Sequence, residues 1–267
     1  MQKAKSRKIN IAVILAAGMG IRLRDVIGFC PKGLLEIKGE SLIIRSLKLL
    51  KRVGIERVII VTGFQDRLYH RHLKKKKNIP IIEFVHSPQY AVSGSMHSLF
   101  VTKDYLKEDF LLLESDLLYE YRALKSVLDF EGSEVVLASG KTESKDEVYI
   151  YGENIDDYIS NKYKSEITYG DIKAISKHPR ENLAIRGELV GISKISKKLY
   201  NLMCSHHEEN LIFPCKTHYE ECISAICCET KIPYLCINDL VWTEIDDQSH
   251  YDRAINQIYP KLLKKNN

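Results

Sequence analysis

The sequence predicts an α/β protein built on a doubly wound, mainly parallel sheet, with a small β-rich subdomain attached to it. Three observations predict this: an unbroken apolar run at residues 9–16, strand and helix patterns that alternate through the first 140 residues, and a change to short β-rich segments from about residue 147. Central parallel strands are covered on both faces, so they read as continuous apolar runs. Strands alternating with helices argue for right-handed crossovers between parallel neighbours.

INIAVILA (9–16) is the first strand. Leu42, Ile43, Leu47, Leu50 and Val53 then recur at helical spacing, with Ser41 placed to cap the helix and Gly54 to stop it. RVIIVTG is a second strand, and residues 65–75 form a polar helix running into Lys74–Lys77, read as a solvated turn. Residues 80–85 give a third strand, 95–106 a helix, FLLLESD (110–116) a fourth strand and EVVLAS (134–139) a fifth. Beyond them EVYIY, EITYGDIKAIS and GELVGISKI are β-rich, and helices are expected near 195–205 and 216–229. DLVWTEID is a last strand before a C-terminal helix with a basic end. No repeat or low-complexity linker divides the chain.

With 267 residues, 45% of them hydrophobic, the chain can bury a substantial core. The net charge of +5 suits anionic small substrates and is too mild for dedicated nucleic-acid binding. The tetralysine run is the one feature that a nucleic-acid module would share, and no interleaved aromatics support it. The start imitates a signal peptide, but its apolar run is short and continues into Gly18-Met19-Gly20 instead of a cleavage site. No later segment is long and apolar enough to span a bilayer, so a cytoplasmic location is expected. The seven cysteines are odd in number and irregularly spaced, as reduced thiols would be. Cys204, His206, His207, Cys215, His218, Cys222, Cys227 and Cys228 are zinc-ligand types, yet there is no CxxC pair, and buried thiols are the better reading.

Ligands of parallel sheets bind beyond the carboxyl ends of the strands. The first strand ends in Leu15-Ala16-Ala17-Gly18-Met19-Gly20-Ile21-Arg22-Leu23, followed by Pro31-Lys32. Two glycines let backbone N–H groups approach a triphosphate, and the small Ala16-Ala17 pair leaves room for a flat base. Arg22 can fork onto β- and γ-phosphate oxygens, and Lys32 can bring a compact charge to the α-phosphoryl group. This is neither a Walker loop nor GxGxxG. Acidic strand ends follow at Glu114-Ser115-Asp116 and at Glu244-Ile245-Asp246-Asp247. Strand alternation puts Glu244 and Asp246 on one face, and the two ends could converge on one metal or simply cap following helices.

The complete LAAGxGxRL string with its Pro-Lys resembles the signature of sugar-phosphate and choline-phosphate nucleotidyltransferases, which have a Rossmann-like sheet. The resemblance covers nearly the whole chain. It is closest to cytidylyltransferases acting on phosphocholine and, more tightly, on 2-aminoethylphosphonate. TGF, SGSM, LLLESDL, ASGKTESKDEVY, GELVGISKI and WTEIDDQSHYDRAINQIYPK carry it. It implies that Asp116 and Asp246 hold Mg2+ and that Leu15, Ala16, Ala17, Gly18, Gly20 and Arg22 bind nucleotide. Ser93, Gly94 and Ser95 stand where relatives read base and ribose, whereas His97 reads as packed or solvated. Lys177, before the VGI strand, would hold the acceptor's phosphate, which makes Arg22, Lys32 and Lys177 the catalytic cations. It assigns no function to the Cys/His-rich 204–228 segment.

The chain is thus read as a single domain, 1–267: a nucleotide-binding half over about 9–140, an acceptor-side lobe over about 141–240 and a closing strand and helix over about 241–267. The expected reaction is Mg2+-assisted in-line transfer of CMP from CTP to 2-aminoethylphosphonate, releasing pyrophosphate; cytosine rests on the resemblance alone. The product would serve decoration of a cell-surface glycan or lipid. An acceptor ammonium needs a carboxylate or an aromatic face, and Asp146, Glu147, Tyr149 and Glu188 are candidates, with Glu188 favoured. Phosphocholine or a sugar 1-phosphate is the alternative acceptor, and a non-catalytic nucleotide-binding protein the alternative class. The expected partners are CTP and a small zwitterionic phosphonate or phosphate ester, without nucleic acid or membrane insertion. A homodimer is left open.

Overall fold

The computed structural model describes residues 8–24, 28–152 and 167–265. The basic start of the chain at 1–7 and the head of the EITYGDIKAIS segment at 166 lie outside these. Strand β1 (Ile11–Ala16) is buried along its whole length. Its side chains alternate between two cores: Ile11, Val13 and Leu15 face one, Ala12, Ile14 and Ala16 the other. That is why the run is apolar without a break. After β1 come two 3-10 turns, Ile21–Leu23 and Lys32–Leu34, and a short hairpin of β2 (Glu36–Ile37) and β3 (Glu40–Ser41).

Helix α1 (Leu42–Arg52) begins at Ser41 as expected, although the Ser41 hydroxyl bonds His72 Nε2 at 2.9 Å and not the helix backbone. It leads to β4 (Arg57–Thr62), α2 (Asp66–Leu73), β5 (Ile81–His86), α3 (Ser95–Phe100) and β6 (Phe110–Glu114). Lys74–Lys77 form an exposed turn after α2. Helix α3 stops at Phe100, short of the expected 106, because the chain passes into turns that bond to the Leu99, Phe100 and Thr102 carbonyls. Strands β7 (Leu117–Tyr119) and β8 (Val135–Ser139) flank α4 (Tyr121–Asp129).

The second half adds β9 (Tyr149–Gly152), β10 (Ile167–Ser176), β11 (Ile185–Ile195), α5 (Lys197–Glu209), α6 (Tyr219–Ile226) and β12 (Pro233–Ile237). Then follow β13 (Trp242–Glu244), α7 (Gln248–Arg253), a π turn and α8 (Tyr259–Lys265). Among the described residues the main sheet has nine strands, in the order β5-β4-β1-β6-β11-β8-β12-β10-β9. Strands β10 and β11 run against the others. Beyond the end of β6, β9 replaces it as the neighbour of β11, which closes β8, β12, β10, β9 and β11 into a ring.

Two sequence expectations need correction, and one strand was not anticipated. GELVGISKI is not peripheral: as β11 it crosses antiparallel between β6 and β8 in the middle of the sheet. Strand β12 has no counterpart in the sequence reading: PYLCI is short and lies between α6 and the DLVWTEID segment. DLVWTEID contributes only Trp242–Glu244, which pair with β7 in a separate two-stranded ribbon. A third core, with Leu23, Leu35, Leu118, Val241, Ile245 and Ile258, packs this ribbon against the Lys32 turn and the C-terminal helices.

The cysteines are all free: Cys204, Cys215, Cys222 and Cys236 are buried, Cys30 and Cys227 half-buried and Cys228 exposed. Among the described residues, no helix is long and apolar enough to cross a membrane.

Candidate active site

The β7–β13 ribbon explains how two acidic segments, 130 residues apart in the chain, come together. Thr243 pairs with Leu118 and Glu244 with Leu117, and the Ile245 N–H then donates to the Asp116 carbonyl at 3.1 Å. Asp116 and Asp246 therefore flank the end of one ribbon. The sequence left open whether each acid merely caps a helix. For Asp247 that is the case, because its carboxylate accepts from the His250 N–H at 2.9 Å. Asp246 instead turns inward and is buried.

Lys32 Nζ lies between the two carboxylates. It donates to Asp116 Oδ2 at 2.9 Å and to Asp246 Oδ1. Burial alone would lower the pKa of this ammonium, but Asp116 and Asp246 overcome that penalty and hold it well above the ordinary lysine value. Arg22 donates from Nη1 to Asp146 Oδ2 at 2.6 Å and pairs through Nη2 with Asp246 Oδ2 at 2.9 Å. Lys177 completes the row with a 2.5 Å contact to Asp146 Oδ1. Cations and carboxylates thus alternate in the order Lys177, Asp146, Arg22, Asp246, Lys32, Asp116.

All of these except Asp146 line a cavity of about 360 Å3 at the carboxyl end of β1 and β6. Leu15, Ala16, Ala17 and Gly18 form its wall at the end of β1. Gly20 is not in that wall. It adopts φ +56 at the start of the 3-10 turn, a left-handed conformation that glycine alone takes without strain, and an added Cβ would press on the Lys32 side chain at 3.0 Å. Its part is to shape the turn beside Lys32. Ser93, Gly94 and Ser95 do line the cavity. The close approach at Gly94 is to protein: a Cβ there would overlap the Thr217 carbonyl oxygen. Ser95 Oγ accepts from the Tyr219 N–H at 3.1 Å and contacts His218 Nδ1 at 3.2 Å, which ties α3 to the start of α6. His97 is packed, with Nδ1 3.1 Å from His207 Nε2.

The two acceptor-side acids occupy different settings from those the sequence suggested. Asp146 is held between Arg22 and Lys177; burial would raise its pKa, and bonds from Lys177 and Arg22 reverse that and lower it. An ammonium placed there would be repelled by both cations. Glu188 is buried beside the cavity, but its two oxygens accept from the Thr142 N–H and Oγ1, both at 2.7 Å. It anchors the loop after β8.

Glu114, Glu220 and Tyr90 also line the cavity and were not singled out in the sequence, whereas Glu244 was placed on one face with Asp246 and His218 was named only among the zinc-ligand types. Glu114 stood inside a motif already noted. Nothing in the Cys/His-rich segment marked Glu220. Burial, then Asp116 and Glu220, push the Glu114 carboxyl up to about 8; burial, then Asp246, Glu114 and Asp116, push Glu244 up to about 9. So many crowded acids call for a compensating cation.

The donor set fits a hard divalent ion. Asp116 Oδ1 is buried without a hydrogen-bond partner, and the Asp146, Glu244 and Asp246 carboxylates bring oxygens within 4.8 Å of one another. Those three differ from the Asp116–Asp246 pair implied by the resemblance, and Asp246 is common to both. Asp116 keeps one oxygen without a partner, whereas both oxygens of Asp146 and of Asp246 are engaged by cations.

A cavity at strand ends, with cations interleaved with carboxylates, suits an α/β protein that handles phosphate groups. Residues 12–167 match the MobA-like NTP transferase domain, and the chain belongs to that family. It is similar to a UTP–glucose-1-phosphate uridylyltransferase of Haloferax volcanii, 26% identical over 66% of this chain and 69% of the relative. It is similar also to a CTP:phosphoglutamine cytidylyltransferase of Campylobacter jejuni, 22% identical over 74% of this chain and 77% of the relative. Its fold matches that of an inositol-1-phosphate CTP transferase from T. maritima with a TM-score of 0.77 at 20% identity, covering 98% of this chain and 97% of the other. The protein is a nucleotidyltransferase.

Proposed function

We propose that the protein transfers CMP from CTP to 2-aminoethylphosphonate, giving CMP-aminoethylphosphonate and pyrophosphate. The observation that carries this reading is Lys32 Nζ held between Asp116 and Asp246, in a cavity walled by the end of β1. Cytosine is supported by the CTP-using relative and by the resemblance of the LLLESDL, GELVGISKI and EID segments.

An acceptor phosphonate oxygen attacks the α-phosphorus, and the bond to the bridging oxygen breaks so that pyrophosphate leaves with the electron pair. A phosphonate dianion is already nucleophilic, so no general base is needed and catalysis is positioning plus charge neutralisation. Lys32 faces the charge that develops on the α-phosphoryl oxygens. Arg22 forks onto the β- and γ-oxygens, and Lys177 takes the acceptor's phosphonate. Asp116 and Asp246 would hold Mg2+, with Glu244 beside them, and the ion would supply charge neutralisation for the leaving pyrophosphate. The carboxylates that pair with Lys32 and Arg22 are the ones a metal would take, which would leave both cations free for phosphate oxygens.

A small primary ammonium is favoured over a quaternary one by the cavity's rings. A trimethylammonium binds best in an aromatic cage. Of the tyrosines lining the cavity, Tyr69 is buried under Gly33 and Ser115, and Tyr90 stands beside Gly63 and the Ala17 carbonyl at the end of β1. Both tyrosines thus lie by the ends of β1 and β6.

Pyrophosphate release with Mg2+ tests the reading, with CTP, UTP, ATP and GTP each offered 2-aminoethylphosphonate, phosphocholine and glucose 1-phosphate. Turnover confined to CTP with 2-aminoethylphosphonate is the expected result. A preference for phosphocholine or for another nucleotide would overturn that substrate or base.

A further inference from the structure

Resting on that reading, we propose that Glu220 is the specificity residue that accepts the acceptor's primary ammonium. Glu220 is the second residue of α6, whose start is brought to the cavity by the Ser95 contacts and whose body packs on β10. Its neighbour Tyr219 donates from its hydroxyl to Glu114 Oε1 at 3.0 Å, which fixes the first turn of α6 against the end of β6. Glu220 and Lys177 line the same cavity, and the lysine's charge reaches the carboxylate. A molecule with an anionic head and an amine two carbons away can therefore set its head on Lys177 and its amine on Glu220.

The competing carboxylates are already committed. Both Glu188 oxygens accept from Thr142, and Asp146 lies between two cations. The helix start would by itself favour an acidic residue, but the exposed Glu221 fills that role: its carboxylate accepts from the His218 N–H at 2.7 Å in a capping box. Burial is the main effect on the Glu220 carboxyl and raises its pKa. An ammonium with three donors would offset that desolvation, whereas a trimethylammonium offers no N–H to it.

The test compares kcat/KM for 2-aminoethylphosphonate and for ethylphosphonate, which lacks the amine, in wild type, Glu220→Gln, Glu220→Asp and Glu188→Gln. Wild type should prefer the amine-bearing acceptor. Glu220→Gln should raise KM for it by about 10- to 100-fold, the worth of a charge-assisted bond, and collapse the preference. Glu220→Asp should keep part of it, and Glu188→Gln should keep it. CTP affinity and the thermal midpoint report whether each variant is folded. If Glu220→Gln keeps the wild-type preference, or if Glu188→Gln is the variant that loses it, the inference falls and the proposed reaction stands. If wild type does not use 2-aminoethylphosphonate at all, both fall.

Discussion

Asp246 and Asp247 are adjacent, chemically identical and turned to opposite tasks. Asp247 caps α7, so Asp247→Ala should cost about 1 kcal/mol, lower the thermal midpoint by roughly 2–4 °C and leave kcat intact. Asp246→Asn should spare the midpoint far better than it spares activity, because it removes the carboxylate shared by Lys32 and Arg22. Thermal melts and turnover measured on both variants check this pair. Asp116→Asn should remove the Mg2+ dependence of the rate together with most of the activity, read from a Mg2+ titration. The crowded acids also make stability depend on pH. Glu114 and Glu244 have folded pKa values of about 8 and about 9 against an ordinary 4.5, so the fold binds their protons more tightly than the unfolded chain does. Their favourable contribution is complete below pH 4.5 and is lost as pH rises to about 9. In a chelator, the thermal midpoint should therefore fall between pH 6 and 9, and Glu244→Gln should flatten that slope; a midpoint that rises over this range contradicts the assignment.

At the scale of elements, the site is assembled by two joints that no single segment encodes. One is the β7–β13 ribbon, which puts Asp116 and Asp246 on either side of Lys32. The other is the contact of α3 with the 215–219 strap, where Gly94 N–H donates to the Cys215 carbonyl at 2.8 Å and Ser95 receives Tyr219. Gly94→Ala would drive a methyl into the Thr217 carbonyl, an overpacking worth about 1–3 kcal/mol. Because the strap carries α6, the variant should also raise KM for both substrates, measured by initial rates at two acceptor concentrations. An unchanged melt and unchanged KM would show that the strap yields freely.

For the molecule as a whole, the parallel half was legible and the antiparallel insertions were not. The unbroken apolar β1 and the strand–helix alternation follow directly from burial on both faces, and β4, β5, β6 and β8 lie where periodicity put them. Strand β11 carries the apolar run Leu189-Val190-Gly191-Ile192, but apolarity says nothing of direction, and its place between β6 and β8 depends on pairings at least 49 residues away. The charged half of the site was readable at Arg22, Lys32, Asp116, Asp246 and Lys177, since each stands in a motif. Glu220 was hidden because its neighbours are cysteines and histidines, whose own chemistry drew attention away from it. The central claim is that this strand-end cavity performs the transfer and that Lys32 is its focus. The most direct test is pyrophosphate release by wild type and Lys32→Ala side by side, with Mg2+, CTP and 2-aminoethylphosphonate, omitting one component at a time. The account predicts release that requires all three components and falls by about 100-fold or more in a folded Lys32→Ala. Release without acceptor, or a Lys32→Ala rate close to that of wild type, would contradict it.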